Sequence, residues 1–269
     1  MPKSPYVLSD AEVDILKLGQ DDVNKAAAYW FKPPDPAGPF LFDHKFAEGG
    51  KWQKQLHHAL QPNIITIGGY GTGKTIGVGM SAAAWCMQMA NFKFLNTAPV
   101  AFQAKQMYDG ILAITKGTPY ERLIWKSPQR PHPRIELKFY VGTTLIESQM
   151  EFMSVDKNAQ NILSWEGDWI NLDEAGMLDD LEEITGHLGS RLRGSIKGRA
   201  RLGRYSITSN SWDNFFMWYL FDLAKDQPDE YMSLVLSTRD NLNVTPDQLK
   251  QMLSKIPPEE HSRLIDGTR

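Results

Sequence analysis

The sequence predicts an α/β fold: a mostly parallel central sheet, helices on both of its faces, and one added β-hairpin. Three observations predict it. Short apolar strands alternate with helix-compatible stretches over residues 51–240. One of those strands, Ile64-Ile65-Thr66-Ile67, runs into a glycine-rich turn that opens a helix. Another, Asp168–Asp173, ends on the adjacent acids Asp173 and Glu174.

The elements follow in chain order. Residues 1–50 read as an N-terminal extension. Asp10 is positioned to cap a helix through about Leu18, and Asp21 or Asp22 one through about Trp30. Pro33, Pro34, Pro36 and Pro39 then break regular structure. The core, residues 51–240, begins near Lys51. Residues 75–90 predict a helix of small residues despite Gly77 and Gly79. Phe92–Thr97 reads as a buried strand and Ala101–Thr115 as a helix. Residues 116–134 are basic and carry prolines, which predicts a surface excursion. Ile135–Val141 and Leu145–Met153 alternate around Gly142-Thr143-Thr144 and read as the hairpin. Leu178–Leu188 predicts a helix, and Tyr205–Thr208 and Ser233–Ser237 two more strands. Residues 241–269 read as a C-terminal helical segment leading to a linker, with a helix over Thr245–Leu253 that Thr245-Pro246-Asp247 starts.

Composition bounds the rest. The 269 residues are 42% hydrophobic and 23% charged, as in a globular protein with a sizeable core. No uninterrupted apolar stretch approaches the ~20 residues of a membrane span. The N-terminus Met-Pro-Lys-Ser-Pro-Tyr lacks the apolar core of a signal peptide. The single cysteine, Cys86, excludes an internal disulfide framework and fits a reducing cytosol. Net charge is −3. The run at 191–204 is nevertheless basic, with Arg191, Arg193, Lys197, Arg199, Arg201 and Arg204 and no acid. Such a run is either a solvated loop or a phosphate contact.

The chemistry lies in four places. Gly68-Gly69-Tyr70-Gly71-Thr72-Gly73-Lys74-Thr75 fits the P-loop pattern. Glycines let backbone N–H groups converge on phosphate oxygens, and the helix that follows adds its partial positive charge. Lys74 is expected on the β- and γ-phosphates, and the Thr75 hydroxyl on Mg²⁺. Asp173 is the expected Walker B acid, a second Mg²⁺ contact. Glu174 is placed to orient and deprotonate an attacking water, which favours hydrolysis over a kinase reaction. Trp52 and Gln53, shortly before the P-loop strand, suit adenine: an aromatic stacks, and a glutamine amide both donates and accepts. A polar helix face is the alternative there. Thr208, Ser209 and Asn210 end a strand that would place a hydroxyl or amide near the γ-phosphate; a plain strand-end turn is the other reading.

Taken together, these residues resemble the ATPase domain of the large terminase subunit of tailed bacteriophages. Trp52-Gln53 resembles that family's adenine-side motif and Gly68–Thr75 its Walker A. Thr97-Ala98-Pro99 with Gln103 resembles the segment after its second strand, and Asp173-Glu174-Ala175 its Walker B. Ser190-Arg191-Leu192-Arg193 is similar to its arginine-bearing segment, Thr208-Ser209-Asn210 to its coupling motif, and Asn241 to Gly267 to its exit from the ATPase domain. The likeness spans about residues 48–269. Two basic positions depart from it: Tyr70 and Ser164-Trp165-Glu166 stand where many members carry a base. The arginine finger it implies would therefore be Arg191, Arg193 or a residue of 199–204, in cis or from a neighbouring subunit.

The resemblance implies a P-loop NTPase of the ASCE (RecA/helicase-like) type, with ATP and Mg²⁺ as cofactors. It further implies translocation of double-stranded DNA into a procapsid in the host cytoplasm. The partners it implies are DNA, a portal protein, a small terminase subunit and further copies in a ring. Family members usually continue into a nuclease, which this chain does not include. The alternatives are a helicase-type ATPase and a nucleotide-binding assembly module with little turnover. A small-molecule kinase would need a lid and a substrate pocket, and the sequence marks neither.

Overall fold

The computed structural model describes residues 4–21, 29–31, 55–57, 59–155, 162–192, 195–196, 199–200, 203–241 and 244–269. Trp52, Gln53, Arg193, Arg201 and the prolines at 33–39 lie outside the described residues, as does most of the helix predicted to end at Trp30.

Apolar residues alternating at period two build a sheet buried on both faces. Strand β2 (Asn63–Gly68) sends Ile64 to one face and Ile65 and Ile67 to the other. Strands β3 (Lys93–Ala98) and β7 (Trp169–Asp173) divide in the same way, Phe94 and Trp169 opposite Leu95, Ile170 and Leu172. β10 (Arg204–Ser209), β11 (Tyr231–Leu236) and β6 (Thr144–Ser154) complete a parallel core in the order β6-β3-β7-β10-β2-β11. The strand after the glycine-rich turn is thus not its neighbour in the sheet. β10 stands between the P-loop strand β2 and the acid-bearing strand β7.

The hairpin belongs to the same sheet. β5 (Arg134–Val141) pairs antiparallel with β6 across a two-residue turn at Gly142-Thr143. Beyond β5 lie two short strands: β1 (Tyr6–Val7), parallel to it, and β4 (Ile124–Lys126), antiparallel. The two-residue strands β8 (Ser195–Ile196) and β9 (Arg199–Ala200) pair with each other, apart from the main sheet. The excursion predicted over 116–134 is only partly at the surface. Tyr120 and Leu123 are fully buried, and Tyr120 Oη donates to Ala83 O at 3.1 Å.

Helices cover both faces. α1 (Asp10–Asp21) starts one residue earlier than predicted. Ser9, not Asp10, caps it: Ser9 Oγ accepts from Glu12 N, and Ser9 N donates to Glu12 Oε2 at 2.9 Å, a capping box. α2 (Lys74–Gln88) and α3 (Ala101–Thr115) pack on one face. Gly79 makes their approach possible, since a Cβ there would lie 2.9 Å from Met107 Cγ. α4 (Leu181–Gly189) and α5 (Phe215–Asp226) cover the other face. No element is predicted over α5, because Phe-Phe-Met-Trp-Tyr-Leu-Phe shows no helical period. Its start is marked by Asn214, whose side chain accepts from Met217 N at 3.0 Å. α6 (Pro246–Lys255) starts at Thr245-Pro246 as expected, with a Thr245–Gln248 capping box in addition, and α7 (His261–Leu264) follows.

Candidate active site

The C-terminal ends of three adjacent strands bring the predicted phosphate-site residues together. The register pairs Thr208 with Thr66 on one side and with Asp173 on the other. Gly68, Asp173 and Ser209 therefore end their strands side by side. Ligands of open α/β sheets bind at this end of the strands.

Gly73 precedes the first turn of α2 with φ 85°, in the left-handed region that a side chain disfavours. That turn lets α2 begin directly above β2 with its unpaired N–H groups exposed to the loop. Lys74 is buried. Its Nζ donates to Gly68 O at 3.1 Å, Gly69 O at 3.0 Å and Asn210 Oδ1 at 3.0 Å, which uses all three of its protons. Burial holds its pKa below the usual lysine range, while Glu174 and Asp173 act in the opposite sense.

Asp173 is held from three directions. Thr75 Oγ1 donates to Oδ2 at 2.9 Å, Thr208 Oγ1 to Oδ1 at 2.6 Å, and Glu174 N to Oδ1 at 3.2 Å. Burial raises its pKa, and the hydroxyl donors oppose that shift. Glu174 leaves the strand with φ 52°, a left-handed conformation costing of order 1 kcal/mol outside glycine. That turn takes its side chain away from the line of β7. Burial, and then the neighbouring Asp173 charge, raise the Glu174 pKa. Asn210 Nδ2 donates to Glu174 Oε2 at 3.1 Å. One amide thus bonds to the P-loop lysine through its oxygen and to the acid through its nitrogen.

Behind these groups runs a buried polar ladder that crosses three strands. Asn171 Nδ2 donates to Asn96 Oδ1 at 2.8 Å and to Thr208 Oγ1 at 3.3 Å. Ser206 Oγ donates to Asn171 Oδ1 at 2.7 Å. Thr97 Oγ1 donates to Asn171 O at 3.1 Å. Hydrogen bonds this far inside the sheet fix the relative heights of β3, β7 and β10. Motif reading marked Thr97 and Thr208 but not Asn171 or Ser206.

Of the arginines in the basic run, neither Arg191 nor Arg204 joins the site. Arg191 O accepts from Gly167 N at 3.3 Å, at the opposite end of β7. Six residues of extended chain, about 20 Å, separate Gly167 from Asp173. Arg191 cannot reach the cluster of Lys74, Asp173 and Glu174 within its own chain, and Arg193 lies outside the described residues. Arg204 fits neither reading of the basic run, being neither a solvated loop residue nor a contact of this site. Its guanidinium lies between the Trp85 and Trp169 rings, 5.3 and 5.1 Å from their centroids, and donates to Ala59 O. Burial alone holds its pKa down to about 10. This half-buried arginine packs at the far end of the sheet, where two indole faces and a carbonyl hold it away from solvent.

The segment that closes the chain packs against the P-loop. Tyr70 N donates to Leu264 O at 2.8 Å, and Ser211 Oγ to Thr268 O at 2.8 Å. The residues predicted to lead out of the core therefore touch both the loop and the end of β10.

This arrangement is the P-loop ASCE fold, with a strand inserted between the P-loop strand and the acid strand. Among solved structures it is similar to the large terminase ATPase domain of Thermus phage P74-26, at 15% identity and TM-score 0.59 over 80% of this chain and 92% of that one. The large terminase of another thermophilic bacteriophage matches at 14% identity and TM-score 0.64, over 82% of this chain and 52% of that one. That of bacteriophage HK97 matches at 14% and 0.59, over 92% and 55%. The chain spans about half the length of these last two proteins. The second of the three relatives has also been solved with ADP and with ATP-gamma-S. At such identities the likeness establishes the fold. No family model matches the sequence, and no curated protein does.

Proposed function

We propose that this chain is an ATP-hydrolysing motor domain of a phage large terminase, converting ATP and water to ADP and phosphate to drive double-stranded DNA into a procapsid. One observation carries the reading. Asn210, directly after the strand between the P-loop strand and the acid strand, bonds Lys74 at 3.0 Å and Glu174 at 3.1 Å. An amide in that position responds to a change at either partner, and β10 carries the response into the sheet.

The residues fit a nucleotide and a magnesium ion. Lys74 is a buried cation whose present partners are two carbonyls and an amide, all weaker acceptors than a phosphate. Asp173 is a buried carboxylate whose raised pKa a hard cation would reverse. Lys74 and the loop N–H groups would bind the phosphates, and Thr75 and Asp173 would hold Mg²⁺. Magnesium supplies charge neutralisation between the phosphates when bound. Glu174 accepts the proton of the attacking water, which suits a carboxylate whose pKa is raised toward neutrality. Trp52 and Gln53 remain the proposed adenine contacts. Arg191 and Arg193 remain the proposed finger, acting from a neighbouring copy. DNA, a portal protein, a small subunit and further copies of the chain are the proposed partners, in the host cytoplasm.

The test is ATP hydrolysis with and without double-stranded DNA. Turnover stimulated by DNA and lost in Glu174→Gln, with ATP binding retained, is the expected result. Full turnover in Glu174→Gln would remove Glu174 from its role. Nucleotide binding that survives Lys74→Ala undiminished would overturn the P-loop reading.

A further inference from the structure

The outer rim of the P-loop is held by residues far from the glycine-rich motif in sequence. Strand β11 ends at Leu236, and a short 3-10 turn, Thr238–Asp240, follows it. Thr238 is fully buried. Its Oγ1 donates to Tyr70 O at 2.7 Å, and its N–H donates to Ile265 O at 2.7 Å. The Asn241 side-chain amide donates to Gly71 O. The closing segment approaches so closely that a Cβ at Gly69 would lie 2.1 Å from Ile265 O.

These donors act on orientation. The peptide planes of the loop are trans. In a trans peptide the C=O and the following N–H point in opposite directions. A hydroxyl that holds the Tyr70 carbonyl outward turns the Gly71 N–H the other way. An amide that holds the Gly71 carbonyl outward does the same to the Thr72 N–H. A carbonyl left free to turn inward would set a negative dipole against a phosphate and remove a donor in the same movement.

We propose that Thr238 and Asn241 are positioning residues of the P-loop: by holding the Tyr70 and Gly71 carbonyls outward, they aim the Gly71 and Thr72 N–H groups at the bound phosphates. This rests on the nucleotide reading above. It assigns to the end of β11, on the far side of β2 from Asp173, a share in phosphate affinity.

Calorimetric titration of ATP into the wild type, Thr238→Val and Thr238→Ser tests it, with pyrophosphate as a second probe that has no base. Valine keeps the shape and removes the donor. Thr238→Val should weaken ATP and pyrophosphate alike, by about tenfold, the cost of about one hydrogen-bond donor to a charged group. Thr238→Ser should restore both to within about twofold, since it keeps the hydroxyl. Wild-type affinity in Thr238→Val would overturn the proposal, as would a loss that serine does not repair. If Thr238→Val does not fold, the half-exposed Asn241→Leu carries the same test and should show the same joint loss. A wild type that binds neither ATP nor pyrophosphate would overturn the nucleotide reading itself, whereas binding that ignores these substitutions removes only the positioning role.

Discussion

Asp173 and Glu174 are adjacent in sequence, yet their surroundings differ in the way the roles proposed for them require. Asp173 stays in line with β7 and is enclosed by Thr75 and Thr208, which suits a fixed metal ligand. Glu174 turns out through a left-handed residue and bonds the Asn210 amide, outside the enclosure of Thr75 and Thr208, which suits a group that must exchange a proton. Burial raises the Glu174 pKa, and a raised pKa means more of the protonated form at any given acidic pH. Hydrolysis should therefore lose its base at a higher pH than an ordinary glutamate would allow. The acid limb of kcat/KM against pH should lie above the usual carboxylate range of about 4.3. A limb at or below that value would show that Glu174 is not the titrating base. Thr208 offers a second residue-level test. Thr208→Val leaves Asp173 one donor short, so the Mg²⁺ concentration needed for half-maximal turnover should change several-fold while the melting temperature falls. An unchanged Mg²⁺ dependence would place Thr208 in the sheet alone.

At the scale of elements, β10 has two unlike ends. Its C-terminal end carries Thr208 and Ser209, with Asn210 directly after them, into the site, and its N-terminal end packs the half-buried Arg204 against two tryptophans. Arg204→Met should cost about 2–4 kcal/mol in denaturant unfolding, through lost packing, lost cation–π contacts and a lost bond to Ala59 O. DNA affinity and its salt slope should not change in that variant. A reduced salt slope at unchanged stability would return Arg204 to the DNA contacts. Part of this element was legible in advance. Tyr205–Thr208 alternates as a strand should, and its polar end suggested a place beside the acid strand. The fate of Arg204 was not legible, because a basic run of six looks uniform until Trp85 and Trp169, which are distant in sequence, are brought to one of its members.

For the molecule as a whole, the sheet sets the distance between the site and the arginines. Arg191 sits about 20 Å from Asp173 at the other end of β7, so any contribution it makes to hydrolysis must come from a second copy. Turnover per chain should then rise with protein concentration, and Arg191→Ala should flatten that rise. Turnover that is independent of concentration and unaffected by Arg191→Ala would remove Arg191 from the catalytic set. The closing segment alters the view of the chain's organisation in a related way. Residues 241–269 read as an exit from the core, but Leu264, Ile265 and Thr268 bond to Tyr70, Thr238 and Ser211. They are part of the rim of the site.

What could be read from residues alone was local chemistry with a strong pattern: the P-loop, the acids closing β7, the polar end of β10, the hairpin and the parallel class of the sheet. Glycine spacing, period-two burial and strand-end acids act over a few residues, so the chain displays them directly. Contacts between distant segments had to wait for the fold. They include the amide that joins Lys74 to Glu174, the ladder through Asn171, the packing of Arg204 on two tryptophans, the remoteness of Arg191, and the hold of Thr238 and Asn241 on the loop. Each depends on strand order, and the sheet places β10 between β2 and β7 and β11 outside β2. That order follows from which crossovers bury both faces at once, a property of the packed chain that no single segment contains.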